Sequence, residues 1–178
     1  MPKVYSVKEF NVKTNKTYFF DNNVWISLFA PLINSQKKKQ ENASNFLASI
    51  LAKNSQIVLS SLIISEFANV YLRFDYEQWK KKNQNPTAHF KLEYKLSADY
   101  KIALEDVKAL IRKIENLDIT EKHPDNFNSI NLENILSNFD IDFNDSYYAH
   151  ICENNNWILV TSDNDFDKLD ISIEIVKI

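Results

Sequence analysis

Asp21 closes the short β-prone run Thr17-Tyr18-Phe19-Phe20, and Asp163 stands two residues past the run Trp157 to Thr161. Ligands of parallel α/β sheets gather beyond the carboxyl ends of the strands, so two central parallel strands would bring these carboxylates to one sheet edge. Taken singly, each has an ordinary role as a helix N-cap or turn residue. Glu66 lies in a helical pattern running from about Ser60 to Lys82, whose apolar stripe is Ile63, Phe67, Val70 and Phe74. At about 100° per residue it falls between Leu62 and Val70, on the flank of that stripe. A glutamate turned toward the core needs a cation or a hydrogen-bond partner, and a salt bridge with Arg73 is the plain alternative. Asp145 falls in the first turn of a helix opened near Asp142, where the helix dipole favours an acid in any case. It shares a face with the small residues Ala149 and Cys152, and Asp142 is the better N-cap of the two.

Carboxylates gathered at one edge repel each other and raise one another's pKa values unless a countercharge intervenes. Mg²⁺ or Mn²⁺ is the usual remedy, because these ions take oxygen ligands and keep water and substrate phosphate oxygens in their shells. Such an ion acidifies a bound water and offsets charge on a reacting phosphodiester. His89, His123 and His150 are isolated and show no zinc spacing. Glycine is absent altogether, which excludes the glycine-dependent phosphate loops of P-loop and dinucleotide-binding proteins. Asparagine takes over the left-handed turns, as expected within Asn154-Asn155-Asn156. The net charge of −3 argues against a broad electrostatic nucleic-acid binder, although committing four acids to a metal leaves +1 for the remainder.

The elements that must position these acids follow from periodicity. After the Thr17–Phe20 strand, Val24 to Phe29 reads as helix. Lys37 to Lys53 does too, with Phe46, Leu47, Ile50 and Leu51 on one face. Gln56–Leu59 is a second buried strand, and the Ser60–Lys82 helix ends before a loop at 83–87 around Pro86. Ser97 to Asn116 is amphipathic helix, 117–120 a short strand, and Leu132 to Leu136 a helix. An acidic stretch from Asp140 to Asp145 then opens a helix reaching about Asn154. Trp157–Thr161 and the alternating run Ile171–Val176 complete the strands. Strands alternating with helices imply a three-layer α/β/α fold around a central parallel sheet. The chain of 178 residues, with 44% apolar and 25% charged residues, is sized for one soluble domain over 1–178. Cys152 is the single cysteine, no signal sequence is evident, and no apolar run can span a membrane, so the cytoplasm is the expected location.

In this order the segments resemble the PIN domain family. "YFFDNNVWI" (18–26) looks like its first strand, where an aspartate is followed two residues later by Asn, Ser or Thr. "SSLIISEFANVY" (60–71) resembles its glutamate-bearing helix, and "FNDSYYAHICENNNWILVTSDNDF" (143–166) is similar to its C-terminal half. The resemblance spans about residues 17 to 178. It implies the strand order 3-2-1-4-5 and an acidic quartet of Asp21, Glu66, Asp145 and Asp163. Asn23, Thr161 or Ser162 and, as an auxiliary, Asp165 would support that quartet. It also implies RNA phosphodiester hydrolysis by a metal-activated water. Many compact members are VapC-type toxins, commonly dimeric and paired with an antitoxin.

The chain is longer than the compact toxins, with a helix extension or insertion at about 74–100. There Lys80, Lys81, Lys82, Lys91 and Lys95 are interleaved with Trp79, Phe90 and Tyr94, a mixture suited to single-stranded RNA. A solvated helix end with its aromatics folded inward is the alternative, and Lys37-Lys38-Lys39 carries the same ambiguity. The leading expectation is a metal-dependent endoribonuclease, the toxin of a toxin–antitoxin pair. A non-catalytic PIN-like binding module is the second reading. A phosphatase is the third, disfavoured because residues 21 to 23 are Asp-Asn-Asn and not Asp-x-Asp.

Overall fold

Runs of four apolar residues set between helices need cover on both faces, and a parallel sheet supplies it. The computed structural model describes residues 1–33, 36–124, 128, 130–138 and 141–178. Its strands are β1 (Lys3–Ser6), β2 (Thr17–Phe20), β3 (Gln56–Leu59), β4 (Thr120–Lys122), β5 (Ile158–Thr161) and β6 (Glu174–Lys177). They form one sheet in the order β1-β6-β5-β2-β3-β4, parallel at every pairing. The helices are α1 (Asn22–Phe29), α2 (Lys37–Ala52), α3 (Ser61–Lys82), α4 (Ala98–Glu115), α5 (Leu132–Ser137) and α6 (Phe143–Asn155).

The five strands expected from sequence adopt the order 3-2-1-4-5, and β1 extends that sheet beyond the last of them. β1 carries no readable signal because it is an edge strand with Lys3, Val4 and Ser6 exposed. The third expected strand begins later than its apolar residues suggest. Thr120 bonds back to the Leu117 carbonyl, turning the chain out of α4 before pairing starts. Asp140, the first acid of the stretch before α6, lies outside the described residues.

Side-chain alternation along β2 divides the core. Tyr18 and Phe20 meet Phe46 of α2 at ring separations of 5.7 and 6.3 Å, whereas Phe19 meets Tyr148 of α6 at 5.0 Å. The two helices therefore cover opposite faces. Sharp reversals fall to asparagine: Asn15, Asn54 and Asn156 take three of the four positive-φ positions among the described residues. Asn156, at φ 55°, ends α6 and turns the chain directly into β5.

Helix α3 continues to Lys82. Tyr76 and Trp79 in its last turns meet Phe90 and Tyr94, and Tyr94 meets Phe90 and Tyr100, all through tilted or edge-on ring contacts. Tyr94 is fully buried and donates to Asp75 at 2.5 Å. Lys80 pairs with Glu77 and lies over the Tyr76 ring, and Lys82 pairs with Asp99.

Candidate active site

Asp21 is held by both of the roles open to it. Its backbone N–H bonds to Val160 of β5, and its side chain caps α1 by accepting from the Asn22 N–H at 2.6 Å. The other carboxylate oxygen accepts from Thr161 Oγ1 at 2.6 Å and from the Asn23 amide. Only 5% of the residue is exposed. Burial pushes its pKa to about 6, and the Glu66 and Asp163 charges add to the rise against the hydrogen bonds from Thr161 and Asn22.

Asn23 and Thr161 tie this carboxylate to the next strand. The Asn23 amide donates to Thr161 Oγ1 at 3.1 Å, and its carbonyl oxygen accepts from the Ser162 N–H at 3.0 Å. Thr161 Oγ1 accepts the Asp163 N–H at 2.9 Å, which fixes the start of the loop after β5. Asp163 Oδ1 accepts from the Asp165 N–H at 2.9 Å, while Lys177 on β6 donates to the Asp163 carbonyl and pairs with Asp167 at 2.7 Å. Asp165 turns its own carboxylate to Lys168 at 2.5 Å and does not line the cleft. Asp167 is an anchor for Lys177.

Glu66 projects from the second turn of α3. Its partners are the Tyr148 hydroxyl, which donates to Oε2 at 2.8 Å, and the Asn144 amide at 3.4 Å. No ion pair joins it to Arg73 among the described residues. Asp145 sits in the first turn of α6, and Asp142 caps that helix by accepting from the Asn144 N–H at 2.8 Å. Burial raises the Asp145 pKa to about 7, with further upward pushes from Asp21, Asp163, Asp142 and Glu66.

These groups meet in a cleft of about 490 Å³ on the carboxyl edge of the sheet. Asp21, Glu66, Asp142, Asp145 and Asp163 line it beside the amides of Asn22, Asn23 and Asn144. Among the described residues, no lysine, arginine or histidine is in that lining. Among the described residues, no donor meets the buried Asn22 Oδ1. Among the described residues, no three acidic, histidine or cysteine side chains close into a ready-made metal cage. Oxygen-only donors, uncompensated repulsion and an orphaned amide oxygen nonetheless suit a hard divalent ion, which binds through few protein carboxylates and completes its shell with water and phosphate.

The sequence-predicted lysines lie elsewhere. Lys80 is fourteen residues beyond Glu66 on α3, roughly 21 Å along the axis at 1.5 Å per residue. Lys37 and Lys38 start α2, and neither lines the cleft. Sequence reasoning missed Asn22, Asn144, Tyr148 and Lys177. Asn144 could have been suspected from its place beside Asp145. Tyr148 reads as a core aromatic until its hydroxyl is seen to meet Glu66.

A parallel α/β sheet with an all-oxygen acidic cleft at its carboxyl edge defines a protein equipped to hold a hard cation against a polar substrate. The PIN domain family model matches residues 18–172, and the chain belongs to that family. PIN domains are generally nucleases that need metal, typically divalent ions. No curated protein matches the chain. Among solved structures it is similar to the crystal structure of PAE2754 from Pyrobaculum aerophilum, with 18% identity and a TM-score of 0.45 over 90% of this chain and 92% of that one. No helix among the described residues is long and apolar enough to cross a membrane.

Proposed function

We propose that the protein is a metal-dependent endoribonuclease that hydrolyses RNA phosphodiesters. The observation that carries this reading is the convergence of Asp21, Glu66, Asp145 and Asp163 on one cleft without a basic residue to neutralise them. Those four carboxylates would hold Mg²⁺ or Mn²⁺, which when bound supplies an acidified water and charge stabilisation at the phosphorus. Thr161 and Asn23 orient the Asp21 carboxylate, and Tyr148 orients that of Glu66. The amides of Asn22 and Asn144 offer neutral hydrogen-bonding groups to substrate at the cleft wall.

Cleavage of RNA and of DNA of the same sequence, each with Mg²⁺ or Mn²⁺, tests the activity and its substrate together. Asp21→Asn and Asp163→Asn should each abolish cleavage. Cleavage that persists in both variants, or in EDTA, removes the assignment. A toxin role, with a homodimer held by a small antitoxin, is the corresponding biological proposal. Co-expression with the product of the neighbouring reading frame tests it, and failure to recover a stable complex counts against it.

A further inference from the structure

A separate pocket, of about 440 Å³, has the opposite charge to the acidic cleft. Lys8 follows β1, Lys177 ends β6, and Lys38 and Lys39 stand in the first turn of α2; all four line the pocket together with Ile178, and among the described residues no acidic side chain does. Lys177 is committed to Asp167. Among the described residues, Lys8, Lys38 and Lys39 make no ion pair. The first turn of α2 carries three lysines and no acid, adding cations where the helix already concentrates partial positive charge. In α3 and α4, basic residues instead occupy the last turn, where that charge is negative. An anion bound in the pocket would relieve this repulsion.

Strand register sets the separation of the strand ends that carry the two sites. Phe20 pairs with Val160, Thr161 with Lys177 and Lys177 with Ser6, so Asp21, Thr161, Lys177 and Ser6 stand in a row along the carboxyl edge. At about 4.8 Å per strand, the end of β1 lies roughly 14 Å from Asp21. A short run of nucleic-acid backbone spans that separation.

We propose that the Lys8–Lys38–Lys39–Lys177 pocket takes a backbone phosphate of the polynucleotide whose scissile bond lies in the acidic cleft. This rests on the nuclease reading and adds a positioning site to it. Recognition there is of phosphate, so RNA and DNA strands should engage it alike, and discrimination between them belongs to the cleft.

The test measures binding of fluorescein-labelled single-stranded RNA, and DNA of the same sequence, to Asp21→Asn protein across a salt series. Adding Lys8→Ala, Lys38→Ala and Lys39→Ala should weaken both strands on the order of tenfold. The slope of log affinity against log salt should become shallower by about 0.7, as for one lost phosphate contact. The control Lys53→Ala, Lys101→Ala, Lys113→Ala changes net charge equally at exposed sites outside the pocket and should leave the slope in place. Unchanged affinity and slope in the pocket variant, or equal losses in the control, overturn the proposal. On an otherwise wild-type background, the pocket variant should raise KM for a long RNA and leave that for a dinucleotide unaltered, since the dinucleotide cannot reach the pocket; equal effects on the two also overturn it. If wild-type protein cleaves nothing while the pocket variant still loses binding, the hydrolase reading falls and the phosphate site stands.

Discussion

Asp145→Asn should stabilise the metal-free protein at alkaline pH and should also prevent divalent metal from stabilising it. Burial and neighbouring acids raise the Asp145 pKa from its ordinary 3.8 to about 7 in the fold. Below 3.8 the group is protonated in both folded and unfolded chains and carries no penalty. Between about pH 4 and 7 the unfolded chain ionises while the folded one resists, so stability falls as pH rises. Above 7 both are ionised and the full penalty remains. At 1.36 kcal/mol per pH unit the span corresponds to about 4 kcal/mol. Asp145 is only partly buried, and solvent screening reduces the figure to about 2 kcal/mol. An amide of the same shape removes the charge, and among the described residues no hydrogen bond reaches the Asp145 side chain. For a chain of this length the gain corresponds to a Tm higher by roughly 4–8 °C at pH 8, vanishing near pH 4. The assay is thermal unfolding by circular dichroism in EDTA, repeated with excess Mn²⁺. Saturation at a hundredfold over Kd should raise wild-type stability by about 2.7 kcal/mol and the variant's far less. A variant no more stable than wild type at pH 8, or a difference that does not vary with pH, would refute the electrostatic argument.

Three further outcomes follow from individual contacts. Tyr148→Phe keeps the ring against Phe19 and removes only the hydroxyl that orients Glu66. Calorimetry should therefore record a Mn²⁺ affinity on the order of tenfold lower, with unfolding free energy down by only about 1 kcal/mol; unchanged metal affinity would strip Tyr148 of a positioning role. Asn156→Ala removes the short polar side chain that makes φ 55° tolerable and should cost about 1 kcal/mol, read as a Tm lower by roughly 2–4 °C. Asp163→Asn should abolish Mn²⁺ binding while Asp165→Asn, whose carboxylate faces Lys168, should leave most of it; equal losses would contradict the geometry of that loop.

Much of this molecule is legible in the sequence because its central strands are buried on both faces. Runs such as Tyr18-Phe19-Phe20 and Ile158-Leu159-Val160 stand out as uninterrupted apolar segments, and each carries an acid just beyond its end. Helix starts are legible for a related reason: Ser60 and Ser97 accept from the backbone N–H three residues on, as capping side chains do. The edge strands escape detection. β1 has little to bury, and β4 starts where a turn from Leu117 releases the chain. Pairings across the sheet are equally silent in one dimension. Nothing about Lys177 alone says that register sets it beside Thr161, or that its amine grips the loop bearing Asp163.

The residues surrounding the four acids explain how a protein without glycine keeps them together. Asp21 binds the α1 N-terminus, the Thr161 hydroxyl and the Asn23 amide at once, so the first helix, the first central strand and the β5 loop share a single carboxylate as their junction. Those contacts favour the ionised form, while burial and the charges of Glu66 and Asp163 oppose it, and the pKa of about 6 records that opposition winning by a modest margin. Replacing the Thr161 hydroxyl with a methyl, as in Thr161→Val, removes a bond that favours ionisation and strands the Asp163 N–H. The Asp21 pKa should therefore move further upward, and metal affinity should fall more steeply below neutral pH than in wild type. A Mn²⁺ titration repeated between pH 5.5 and 8 checks this. Parallel pH profiles for the two proteins would mean that Thr161 holds the loop alone and contributes nothing to the charge on Asp21.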